Sequence, residues 1–302
     1  MPNIARRSLA VLALGATAAA KAAPAATITD FTPIPLPAQH PAKMAVAALP
    51  NANLAYWDTE GAGEAVILLH PATGSYLVWG YQQPEFARAG FRTIGYSRRG
   101  FAGSDAGNGQ GNDAGDLLAL ADHLGVRRFH LVSTAAGAFT GLEFAVAHQD
   151  RLLTLTLACS ISGSDGAGTG AARDRLRPKE FSSLPPSFQE LSPAYRAANA
   201  DGMAHWEALQ RQSRNPAALV GKPAGPPSQP KFTPDDLARL TIPTLLIAGG
   251  ADLFAPPPLM RALAGLLPNA KLLEIADAGH SAYWEQPKIF NRLVLDFLIT
   301  RR

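Results

Sequence analysis

Cysteine occurs once in 302 residues, at Cys159, which excludes an intrachain disulfide and any metal site built from several thiolates. The histidines, His40, His70, His123, His130, His148, His205 and His280, show neither H-x-H nor H-x-x-x-H spacing, so local metal-ligand pairs are missing too. Charge is scarce: Asp, Glu, Lys and Arg together make up 17% of the chain. The formal +3 comes entirely from Arg6, Arg7 and Lys21; without them 24 basic residues stand against 24 acidic ones. With no basic stripe and no nucleic-acid motif, nucleic acid is not an expected partner. No metal and no cofactor is expected, and nothing in the sequence specifies an oligomeric state.

Long apolar runs are confined to the start. Residues 1–23 hold Arg6-Arg7, an apolar run from Leu9 to Ala20, and then Lys21-Ala22-Ala23, the order of a charged region, a hydrophobic region and a small-residue cleavage site. This reads as a bacterial export signal, and the paired arginines suggest the twin-arginine route. The run is shorter than the roughly 20 residues needed to span a bilayer. The mature protein is therefore expected in the periplasm or outside the cell, with no stable membrane span. Residues 24–43, rich in Pro, Ala and Thr, suit an extended arm.

What the rest of the chain has in quantity is apolar sequence, 47% overall, enough for one large core. Met44 to Leu49 and Ala52 to Trp57 flank Pro50-Asn51 as an antiparallel pair. Ala65 to Leu69 is a continuous apolar run suited to a central parallel strand, and it delivers the loop His70-Pro71-Ala72-Thr73-Gly74-Ser75. A helical stretch from Tyr76 to Ala89, a strand Phe91 to Gly95, the loop Tyr96 to Ser104 and a helix Asn112 to Leu124 follow. Leu152 to Cys159 is another strand. The repeated strand-helix order predicts an α/β fold, a mostly parallel sheet covered by helices on both faces. Residues 163–236 change texture, with Gly-rich and Pro-rich pieces and short helical segments such as Pro193 to Gln212; they read as an inserted, mostly helical lid. The core is then 44–162 and 237–302, resuming with a strand Pro243 to Ala248, a strand Lys271 to Ile275 and a final helix carrying Ile289, Phe290, Leu293, Val294, Phe297 and Leu298 on one face.

The organising stretch is Phe129 to Val146. Phe129, Leu131 and Val132 form a buried strand, Phe139, Leu142 and Val146 mark a helix face, and Ser133-Thr134-Ala135-Ala136-Gly137 joins them through a corner that only small residues fit. From about Met44 to Phe297 the chain resembles the α/β-hydrolase superfamily, in the lidded branch of esterases and carbon-carbon bond hydrolases. The resemblance rests on five ordered matches: the strand into the His70 loop, Tyr96 through Gly103, the small-residue corner, Pro243 to Asp252, and Gly279-His280 with Trp284-Glu285-Gln286-Pro287. In that superfamily the middle residue of the corner is the serine nucleophile. Here it is Ala135, and a methyl group cannot attack a carbonyl.

The resemblance implies that Asp252 is the acid and His280 the base of the site, since elbow, acid and histidine come in the family order. It also implies an oxyanion hole from the backbone N–H of Ala136 and of Ala72, because Pro71 has no N–H to offer. Trp206 from the lid, Trp79 and Ser133 are the candidate substrate-contacting side chains, and His70 is expected to stabilise its loop. Ser133, Ser75 and Ser160 are poor substitutes for the nucleophile, and Cys159 reads as a small buried apolar residue. The functional expectation is an exported enzyme acting on a small ester-like or ketone substrate through a His-Asp general base. Three alternatives stay open: a lyase, isomerase or cofactor-independent oxygenase using the same base; a small-molecule binding protein; or an ordinary hydrolase whose serine has been replaced.

Overall fold

The computed structural model describes residues 33–161, 172, 175–214 and 232–301. The expected leader at 1–23, the first part of the arm and the remaining stretches of the lid lie outside the described residues. The eight strands among the described residues are β1 Lys43–Ala48, β2 Asn53–Asp58, β3 Ala65–Leu69, β4 Arg92–Tyr96, β5 Phe129–Thr134, β6 Leu152–Ala158, β7 Thr244–Gly249 and β8 Ala270–Ile275, in the spatial order β1-β2-β4-β3-β5-β6-β7-β8. Only β1 with β2 and β2 with β4 pair antiparallel; every other pair is parallel.

Side chains alternate across such a sheet, and this alternation builds two cores from one apolar run. Ala65, Ile67 and Leu69 of β3 face one core with Phe129 and Leu131 of β5, while Val66 and Leu68 face the other with Val132. The first core is closed by α2 (Asp113–His123), α3 (Gly137–His148) and α8 (Pro257–Ala264), through residues such as Leu117, Leu142 and Met260. The second is closed by α1 (Gln83–Arg88) and the last helix, α10 (Pro287–Ile299), through Phe86, Phe290, Val294 and Leu298. Trp206 and Tyr195, from the stretch expected to form a lid, join this second core.

The structure corrects two expectations about local structure. The helix expected over Tyr76 to Ala89 is broken: a 3-10 turn at Tyr76–Trp79 ends at Gly80, and α1 starts afresh with Pro84 in its first turn, where a missing N–H costs nothing. The lid segment Pro193 to Gln212 is two helices, α5 (Pro193–Ala198) and α6 (Ala200–Gln212), divided at Asn199, whose side chain accepts from the Gly202 N–H and caps the second. A short helix, α7 (Pro234–Ala238), opens with a Thr233–Asp236 capping box and sends Leu237 into the first core. A further helix of this stretch is α4 (Pro186–Glu190). The described part of the arm is docked: Tyr81 donates its hydroxyl to the Ile34 carbonyl at 2.6 Å, and Gln83 exchanges hydrogen bonds with the His40 backbone.

The corner between β5 and α3 depends on Gly137. A Cβ there would lie 2.6 Å from the backbone oxygens of both Leu69 and His70, which cannot move without breaking β3. Gly137→Ala is expected to destabilise the fold by about 1–3 kcal/mol through this overpacking, read as a fall in the urea midpoint at constant slope; an unchanged midpoint would show that the helix can shift.

Candidate active site

The C-terminal ends of the parallel strands collect the chemistry-bearing residues, as expected for an open α/β sheet. Ala135 follows β5 at φ 51°, the left-handed region that costs a non-glycine residue roughly 1–2 kcal/mol. Its N–H donates to the Ala158 carbonyl at 2.9 Å, and its own carbonyl accepts from Ala138 at 3.1 Å as α3 begins, so sheet and helix together hold the strained residue. The elbow keeps its high-energy backbone although the residue it presents has no functional group. Cys159, next along β6, is wholly buried with its thiol 3.7 Å from the Gly279 carbonyl, and burial pushes that thiol well above its ordinary value. It is an apolar filler between the elbow and the His280 loop.

Asp252 and His280 are brought together as expected. His280 donates Nδ1–H to Asp252 Oδ2 at 2.8 Å, while Asp252 Oδ1 accepts the backbone N–H groups of Phe254 at 2.7 Å and Ala255 at 3.1 Å. Asp252 is 2% exposed and His280 9%. Burial pulls the His280 imidazole down, but the charge and hydrogen bond of Asp252, with the charge of Glu190, outweigh it and hold it above the ordinary histidine value. With Nδ1 engaged, Nε2 is the nitrogen left to take a proton. The Phe254 ring, centroid 4.5 Å from the imidazole, fixes its tilt.

His70 is a different kind of histidine. Nδ1–H donates to the Pro71 carbonyl at 2.7 Å and Nε2 accepts the Arg98 N–H at 3.0 Å, so the ring is neutral with a fixed tautomer. Burial, then the nearby Arg98 and Arg214 charges, push its pKa well down. It ties the loop after β3 to the loop after β4. Among the described residues neither the Ala72 nor the Ala136 N–H donates to a backbone carbonyl.

The three candidate substrate contacts separate. Trp206 is 3% exposed and donates its indole N–H to Ser281 Oγ at 3.3 Å, immediately beside His280. Trp79 is fully enclosed, its ring 5.1 Å from that of Tyr283, so it belongs to the core; its place in the broken 3-10 turn sends it inward. Ser133 is also fully buried, and its hydroxyl donates to the Thr156 carbonyl on β6 at 2.8 Å. It locks two strands together. Ser75 is spent as well, accepting from Leu77 N and Ser213 Oγ.

Sequence reasoning missed Glu190, Thr73, Ser281 and the structural carboxylate of Glu285. Glu285 accepts the Gly279 N–H at 3.0 Å and the Ser192 N–H at 2.9 Å, and burial raises it to about 7. Only the Trp284-Glu285-Gln286-Pro287 string marked it. Among the described residues no cluster of three or more His, Cys, Asp or Glu could hold a metal, and no helix is long and apolar enough to cross a membrane.

This geometry agrees with what the chain is similar to. The alpha/beta hydrolase family profile matches residues 66–293. A 2-hydroxy-6-oxo-6-phenylhexa-2,4-dienoate hydrolase from Comamonas testosteroni is 30% identical over 271 residues, covering 82% of this chain and 92% of that protein. A 2-hydroxy-6-oxononadienedioate/2-hydroxy-6-oxononatrienedioate hydrolase from Burkholderia vietnamiensis is 29% identical, covering 80% and 90%. Among solved structures, a thermophilic esterase from Thermogutta terrifontis superposes with a TM-score of 0.70 at 24% identity, over 86% of this chain and 99% of that one. With the eight-stranded sheet, the strained elbow and the His-Asp pair after β7 and β8, these matches show that the chain belongs to the alpha/beta hydrolase family.

Proposed function

We propose that this chain is an exported hydrolase of small ester-like or ketone substrates in which His280, held by Asp252, activates water directly. The observation that carries the reading is the intact 2.8 Å His280–Asp252 pair beside an elbow whose middle residue is Ala135. Water loses its proton to His280 Nε2 as its oxygen bonds to the substrate carbonyl carbon. The carbonyl oxygen becomes an oxyanion received by the Ala72 and Ala136 N–H groups. Collapse breaks the bond to the leaving group, which takes the proton back from the imidazolium. No acyl-enzyme forms. Serine hydrolases stripped of triad members keep about 10³ to 10⁴ over water from the oxyanion hole and binding alone, so the missing hydroxyl does not by itself end catalysis. The relatives from Comamonas and Burkholderia are hydrolases of 6-oxo unsaturated acids, which supports an oxo compound as the substrate class. Export rests on the composition of residues 1–23.

A second reading is favoured by one observation: Ser133 is committed to Thr156, so Ser133 does not take the place of the absent nucleophile. The same base would then remove a proton from substrate, as a lyase, isomerase or cofactor-independent oxygenase does. A panel of esters, lactones and 1,3- and 1,5-diketones, assayed with the mature protein and with His280→Ala, decides. The expected result is turnover without a burst of product, lost in His280→Ala. Tight binding without turnover of any panel member would instead support a binding protein.

A further inference from the structure

One buried carboxylate of the lid has no part in the chemistry so far. Glu190, at the end of α4 and 6% exposed, makes four hydrogen bonds to the two core loops that carry the site. Its backbone carbonyl accepts the N–H of His280 at 2.7 Å and of Ser281 at 3.2 Å. Its Oε2 accepts the hydroxyls of Thr73 at 2.9 Å and Ser281 at 3.0 Å. Thr73 adjoins Ala72, the second oxyanion donor proposed above, and Ser281 adjoins the base and is itself held by Trp206. The lid seats so closely here that a Cβ on Gly279 would lie 2.5 Å from the Glu190 carbonyl oxygen.

A buried carboxylate is costly unless a positive charge faces it. Among the described residues no Lys or Arg pairs with Glu190, and the cation that faces it is His280 once protonated. If holding the loops together were the whole task, a neutral amide would accept the same two hydroxyls without the cost of a charge.

We propose that Glu190 is a positioning residue for His280, a lid carboxylate that orients the imidazole through the loop backbone and stabilises its protonated form. Asp252 belongs to the sheet and Glu190 to the lid, so the base gains full strength only with the lid seated over the strand ends. Among the described residues, the charged groups that act on His280 are Asp252 after β7, Glu190 from α4 and Arg177, the last opposing protonation. Arg177 itself lies across the Phe254 ring at 4.8 Å and donates to the Leu253 and Phe254 carbonyls. Glu285 stands behind the same loop and is engaged by backbone N–H groups.

This inference rests on His280 being the base, and the experiment separates the two. The imidazole of His280 is titrated by NMR in the ¹⁵N-histidine-labelled mature protein, in Glu190→Gln and in Glu190→Asp. Glu190→Gln, which keeps the shape and the acceptor oxygen, is expected to lower the midpoint of His280. The acidic limb of kcat/KM should move to lower pH with it and the plateau fall by about threefold to tenfold, as for a weakened general base. Glu190→Asp, which keeps the charge but withdraws it, is expected to fall between; it also serves should Glu190→Gln not fold. A Glu190→Gln protein with native circular dichroism and an unmoved His280 midpoint would overturn the role. A displaced midpoint in a protein that turns over no panel member would uphold Glu190's action on the imidazole while overturning the general-base function.

Discussion

Ala135→Ser is expected to be labelled covalently by an organophosphonate and to gain hydrolysis of small activated esters by about 10²- to 10⁴-fold. That is part of the roughly 10⁶ that a mature serine hydrolase loses with its nucleophile. The substitution adds one oxygen to a residue already at φ 51°, so the backbone has no new strain to absorb. The side chain is 5% exposed at the corner, and α3 begins beside it, its N-terminal N–H groups favouring negative charge. His280 already has the tautomer a triad needs, with Nδ1–H on Asp252. His280→Ala in the Ala135→Ser background should abolish both labelling and turnover. A folded Ala135→Ser protein that stays unlabelled would show that His280 Nε2 or the oxyanion donors are out of reach of position 135, and would favour the binding-protein reading. If the native protein turns over a substrate that Ala135→Ser does not, proton abstraction becomes the better account, because the new hydroxyl then occupies substrate space beside the base.

Asp252→Asn carries the second large effect. Asn can keep Oδ1 on the Phe254 and Ala255 amides, but it turns an NH₂ toward His280 Nδ1, which must then accept. The proton moves to Nε2, and the imidazole becomes a donor where it has to be an acceptor. The corresponding change in serine proteases lowers kcat by about 10⁴; a loss of about 10³ to 10⁴ in kcat/KM is expected here. The sign of the pH effect follows from the causes of the native shift. In the native site Asp252 and Glu190 outweigh burial and raise His280, so the neutral, active form appears only above the ordinary imidazole range. Removing the Asp252 charge weakens the opposition to burial, the midpoint falls, and the residual activity should extend to lower pH. Retention of full activity in a folded Asp252→Asn protein would exclude His280 as the base.

The candidate site was legible where its residues are tied to strand ends. Asp252 and His280 each follow an apolar strand, and the corner Ser133 to Gly137 lies between a period-two and a period-3.6 pattern, so the resemblance to the α/β-hydrolase order could place all three at one edge of the sheet. Trp79 and Ser133 misled for a common reason: sequence locates a residue on an element but not the direction of its side chain. Ser133 faces β6 and Thr156 instead of the cleft, and the break at Gly80 turns Trp79 into the core.

The amino-acid sequence by itself determined the sheet with its two covered faces, the place of the elbow and the absence of a nucleophile on it. Each depends on short-range pattern: alternation along a strand, recurrence along a helix, small residues at a tight corner. Only the tertiary structure decided what surrounds the base. Glu190 meets Thr73 across 117 positions and Ser281 across 91, from a segment whose sequence has no period that points at either. Such contacts arise when two separately folded surfaces are pressed together, and their cost and benefit, desolvation against a facing charge, exist only once water has been excluded between them.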